Sequence, residues 1–226
     1  GYTVVEPAVV VTTHLDQLIR SHSQDLLGRQ ETQDLIEHYR SSYPKLIEDV
    51  VPKVVTVATL QKILQLLLEE DVPVKDLRTI LEVASENPGL LSDPVNVLGP
   101  VRYALRRTIT QEVFGEALDF KVLGLHPDFD RLIEQAVGNQ AAAPDGAIEP
   151  SLARFFGEEV MLAVNEMTAE GLNPVLITSG RTRLTLSRLA RRVKPDITVL
   201  SMSELPPNGN IAFHKVLCNR TAAQAA

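Results

Sequence analysis

Apolar residues recur at helical spacing through the first half of the chain. Leu60, Ile63, Leu64 and Leu67 fall at i, i+3, i+4 and i+7, and Val74, Leu77, Ile80, Leu81 and Ala84 repeat that spacing after a break at Pro73. The pattern predicts two short helices, each with one apolar stripe. Helices of this length are marginal alone, so each stripe must be covered by the other or by a third helix foreshadowed over 30–42. A compact helical module is expected.

The flanking residues punctuate this pattern. Gly28 and the Ser41, Ser42, Tyr43, Pro44 cluster bracket the helix over 30–42, and a second short helix over 45–51 is limited by Pro52. Thr56 is placed to cap the Leu60 helix, its hydroxyl accepting from a first-turn N–H. Glu69, Glu70 and Asp71 crowd that helix's C-terminus, where negative charge opposes the dipole; a basic neighbour or plain solvation accounts for them. Asn87, Pro88 and Gly89 end the next helix, and Asp93 before Pro94 signals a new start. Gly99 and Pro100 fall inside that helix, so a kink or restart is expected there, then a helix over 101–113 with Leu105 and Ile109 inward. Ahead of the module, 2–5 reads as a strand and 8–20 as a helix with Pro7 in its first turn, with Val9, Thr13 or Leu15, and Leu18 or Ile19 inward.

From Phe114 the pattern changes to alternation. Strands are expected around Phe120, Val122 and Leu123, then over 174–178, 197–200 and 211–217, with helices over 127–137, 150–171 and 182–193 and a small-residue loop over 138–146. Strand and helix in turn indicate an α/β layer whose helices cover a small sheet.

Composition narrows the function. An apolar content of 44% with 23% charged residues is ordinary for a globular chain of 226 residues, enough for one large domain or two smaller ones. The net charge of −7 argues against nucleic-acid binding, which needs a basic surface to replace counterions on phosphate. One cysteine, Cys218, cannot form an internal disulfide and fits a reducing compartment, as an inert small residue of a strand. No run reaches the roughly 20 apolar residues that span a bilayer, and no signal peptide precedes the first strand. The start at Gly1, inside a strand-like run, reads as the cut end of a longer chain.

Catalysis has no visible centre. His14, His22, His38, His126 and His214 are scattered without metal-ligand spacing, and nucleophile-elbow, Walker A and dinucleotide fingerprints are absent, so no metal or cofactor is expected. The turn Thr178, Ser179, Gly180, Arg181, between a strand and a helix, reads either as a capped tight turn or as an anion cradle. Beyond it, Arg181, Arg183, Arg188, Arg191 and Arg192, with Lys194, form a basic helix in an acidic protein. That run is either a solvated face or a docking face for an acidic partner. Val5, Val10 and Thr13, near the start, read as core positions of a strand and a helix.

The strings GRQETQDLIEHY, YPKLIEDVVPKVV and LQKILQLLLEEDVPVKDLRTILE carry a resemblance that periodicity alone does not. They are similar to the cytoplasmic domain of the type III secretion export gate family, and GYTVVEPAVVVTTHL with LGRQETQDL looks most like its flagellar branch. The likeness runs through DITVLSMSEL. It implies an α+β, multi-subdomain fold. Residues 1–24 would be the returning end of a first subdomain, 25–107 an all-α ring-building module, 108–220 a small α/β subdomain and 221–226 a frayed tail.

The resemblance further implies a non-enzymatic docking platform on the cytoplasmic side of the bacterial inner membrane, attached through upstream helices. Val5, Val10 and Thr13 match positions lining an apolar dimple that receives export chaperones loaded with filament-type cargo, which makes binding a second reading for them. With the upstream half of that groove missing, these residues alone are expected to bind chaperones poorly. Further partners would be copies of the chain in a ring and the export ATPase complex, and the basic helix would meet an acidic neighbour. The virulence injectisome homologue is the close alternative. An α/β enzyme using the turn at 178–183 is the alternative of another class.

Overall fold

The structure, a computed structural model, describes residues 6–117, 119–139 and 148–217, with the side chains of 137–139 excepted. The strand expected over 2–5 with Val5, most of the 138–146 loop, Cys218 and the tail over 221–226 lie outside the described residues. The chain divides into two compact units, Gly1–Leu105 and Arg106–Ala226.

The first unit is helical among its described residues: α1 (Pro7–Ser21), α2 (Ser23–Leu26), α3 (Arg29–Ser42), α4 (Pro44–Val50), α5 (Val57–Leu68), α6 (Leu77–Glu86) and α7 (Pro94–Ala104). Both stripes read from the pattern are buried: Leu60, Ile63, Leu64, Leu67, Ile80, Leu81 and Ala84 are each 0% exposed. They do not simply cover one another. Helix α7 lies against both α5 and α6, while α5 also meets α2 and α3, and α6 meets α4.

Caps fall where side-chain chemistry puts them. The N–H of Thr59 donates to the Thr56 hydroxyl at 3.1 Å, and that of Val95 donates to Asp93 at the same distance. The second helix opens later than its stripe. Asp76 caps it through the Thr79 N–H, so Val74 precedes α6. The helix does not restart at Gly99 and Pro100: α7 continues through Pro100 to Ala104, and the break comes at Leu105. Proline removes one backbone bond. Val97, Leu98 and Val101 are buried around it, and their packing keeps the residues on both sides of Pro100 in one helix.

The second unit comprises α8 (Arg106–Phe114), β1 (Asp119–Leu125), α9 (Pro127–Asn139), α10 (Pro150–Ala169), β2 (Val175–Thr178), α11 (Arg183–Val193), β3 (Thr198–Ser201) and β4 (Asn210–Leu217). The sheet is parallel throughout, in the order β3-β2-β1-β4. Strand β4 pairs with β1 from Asp119 opposite Asn210 to Leu125 opposite Leu217, with a bulge that leaves one extra residue, His214, on β4. Strand β2 is buried along its whole length. The core sets Leu123, Leu176 and Val199 of the sheet against Phe129, Phe156, Val160 and Leu186 of the helices. Gly209 is required by contact, since a Cβ there would run into the buried ring of Phe120. The architecture is α+β, as the pattern and the resemblance imply.

Candidate functional site

Helix α1 carries two of the expected partner-binding residues. Pro7 stands in its first turn, where a missing N–H costs nothing, and the helix runs to Ser21 without a buried residue. The inward positions expected at Val9, Thr13 or Leu15, and Leu18 or Ile19 are therefore corrected, because all of these side chains are open. Val10 is 55% exposed and Leu15 54% exposed. Val11, Leu15 and Leu18 follow at i, i+4 and i+7 with Ile19 beside them, giving α1 a continuous uncovered apolar face. Among the described residues nothing covers Val10 or Thr13; Val5 lies outside the described residues.

The basic run is not one surface. The Arg183 guanidinium is buried, 5% exposed, and lies 3.7 Å from the equally buried Glu204 carboxylate. Glu204 is tied in further, its backbone carbonyl accepting from the Thr110 hydroxyl. Arg183 thus holds the start of α11 to the short 3₁₀ turn after β3, and its part in docking an acidic partner is corrected. Arg181 donates to Glu134 of α9 at 2.7 Å. Arg188 and Arg192 are exposed and Arg191 is half-buried.

The turn at 178–183 is filled from within. The Thr182 hydroxyl donates to Asp130 at 2.8 Å and the Ser179 hydroxyl to the same oxygen at 3.4 Å. A carboxylate of α9 therefore takes both hydroxyl donors of the turn, and Glu134 takes the Arg181 guanidinium. The turn is a junction between β2, α11 and α9 whose two hydroxyls and arginine are engaged by the chain's own carboxylates.

Two features have no counterpart in the linear pattern. In the first unit, Arg102 of α7 donates to Glu70 at 3.2 Å with both side chains buried, 2% and 6% exposed. This is the basic neighbour that the acidic cluster at 69–71 left open. In the second unit a groove of about 420 Å³ runs between α9 and the start of α10, floored by Leu132, Ala136, Leu152 and Phe155. Among the described residues no group of three His, Cys, Asp or Glu side chains is placed to hold a metal, and no helix is long and apolar enough to cross a membrane.

A helical module joined in sequence to a parallel α/β unit agrees with what the chain is similar to. Residues 1–210 match the model of the FHIPEP family. The chain belongs to the FHIPEP family. Flagellar biosynthesis protein FlhA of Escherichia coli (strain K12) is 43% identical over 211 residues, 93% of this chain. The protein of that name from Bacillus subtilis (strain 168) is 33% identical over 208 residues, 92% of the chain. The chain spans about 30% of the length of these curated relatives. FHIPEP proteins of this kind are components of flagellar and type III export gates, not enzymes. Among solved structures, the CdsV protein of Chlamydia pneumoniae is 28% identical with a TM-score of 0.83, over 92% of this chain and 59% of that one. The nonameric cytosolic domain of EscV, from a type III secretion system, shares the fold at a TM-score of 0.75 and 23% identity, over 91% of this chain and 60% of that one.

Proposed function

We propose that this FHIPEP chain is a cytoplasmic docking portion of a flagellar export gate, receiving export chaperones with their cargo and standing in a ring of copies. The observation that carries the docking reading is α1, whose apolar face is uncovered from Val9 to Ile19. An exposed apolar stripe of this extent marks an interaction site on a folded protein. Val5, Val10 and Thr13 are the residues the resemblance assigns to the chaperone contact; Val10 and Thr13 are exposed on α1 but lie off the Val11, Leu15 and Leu18 row. The ring reading rests on the helical module over 25–107 and on likeness to relatives solved as nonamers. In a ring, many weak contacts raise the effective concentration of cargo at one pore. The α/β part, over 108–220, offers further surface to other export components, including the ATPase complex; a structure of the similar CdsV protein is a complex with CdsO. Attachment to the inner membrane would come from spans outside these residues.

The flagellar reading is preferred to the injectisome one on degree of likeness, 43% identity to a flagellar protein against 28% to CdsV. The test is a calorimetric titration of a filament-type chaperone and cargo complex into this chain and into a version extended toward the N-terminus. Tighter binding to the extended version is expected, and Val10→Asp or Thr13→Asp in it should weaken binding by about tenfold, roughly 1.4 kcal/mol. Unchanged affinity in both variants removes these residues from the contact.

A further inference from the structure

We propose that the groove between α9 and α10 is a docking site for an amphipathic helix whose flanks carry lysine and arginine, distinct from the chaperone contact assigned to α1. The groove grows out of the hydrophobic core. Leu152 and Phe155 pack their inner sides on the core cluster and leave their outer sides to form the floor, with Leu132, 37% exposed, as the facing wall on α9. Helical spacing prolongs this floor along α10. Residues 152, 155, 159 and 162 follow at i, i+3, i+7 and i+10, one row over from the buried Phe156, Val160, Ala163 and Met167. Leu162 stands 56% exposed at the far end of the row. The result is a shallow apolar track several turns long, the shape into which an amphipathic helix lays anchors at i, i+3 or i+4, and i+7.

Charge decides the occupant. From its N-cap to its last turn, α10 carries the carboxylates Glu149, Glu158, Glu159 and Glu166 against one cation, Arg154. Glu166 is matched by Lys215 of β4, and Arg154 approaches Glu158 at 3.9 Å. Among the described residues, Glu159, within the track itself, and Glu149, at the groove mouth and accepting from the Ser151 hydroxyl, have no ion pair with a cation. A helix with acidic flanks would be repelled there, whereas lysine or arginine beside the apolar anchors would meet these carboxylates and steer the encounter.

The experiment uses the full chain and a synthetic helical peptide of about 16 residues, long enough for four turns. It carries a leucine stripe flanked by lysines, and two controls keep the stripe with glutamate flanks or scramble the lysine peptide. Fluorescence anisotropy is expected to show the lysine peptide binding at least about tenfold more tightly than either control. Amide shifts on binding should cluster at Leu132, Ala136 and 152–162. Leu162→Asp and Glu159→Lys each remove about tenfold of that affinity, while the melting temperature, which neither exposed leucine nor half-exposed glutamate controls, stays at the wild-type value. Shifts concentrated on α1, equal binding of the controls, or no binding at all would overturn the proposal.

Discussion

A single buried side chain shows how directly the apolar pattern translates into stability. Leu64 is fully enclosed, so Leu64→Ala removes its contacts and leaves a void; a loss of about 2–5 kcal/mol is expected in urea denaturation. That residue was legible from spacing alone. Arg102 was not, because the reason for an arginine on a buried helix face is Glu70, which the chain brings up from 32 residues away. Arg102→Met strands a buried carboxylate and should cost about 3–5 kcal/mol, whereas Arg102→Met with Glu70→Leu should return to wild-type stability or exceed it. If the double variant is as unstable as the single one, the pair is not what the site needs. Arg183 teaches the same lesson from the other side. Among five arginines on paper it looked like its neighbours, yet it turns inward onto Glu204.

Elements were legible where local signals agree and were misplaced where packing overrules them. Thr56 and Asp93 cap the helices the sequence assigns to them; Thr56→Ala should lower stability by about 1 kcal/mol, read by thermal unfolding. Pro100 is the opposite case. Its missing N–H forecasts a kink or a restart, and the restart does not come, since one lost backbone bond is outweighed by the buried contacts of Val97, Leu98 and Val101 along the same helix. Helix α1 formed where the pattern placed it and failed to bury the face the pattern gave it. Since it holds no buried residue, its opening free energy should lie at the low end of the range, and its amides should exchange far faster than those of α5 in hydrogen-exchange mass spectrometry. Equal protection of the two helices would mean that α1 is covered in solution.

At the scale of the whole molecule, charge and topology are set at different levels. The net charge of −7 is fixed by composition, and it predicts no binding of duplex DNA at about 0.15 M salt in an electrophoretic shift assay. Family membership too was visible in the strings around α3 to α6, which is why the α+β architecture was within reach before any coordinates. Sequence by itself determined the helical stripes, the caps, the alternation after Phe114 and the absence of known catalytic signatures, since each depends on residues a few positions apart. Tertiary structure alone decided that β4 pairs beside β1, that Asp130 fills the turn after β2, that Glu70 meets Arg102, and which apolar faces stay open. Those outcomes depend on which distant segments come together, and burial, the quantity that separates a core valine from a docking valine, is a property of neighbours and not of the residue.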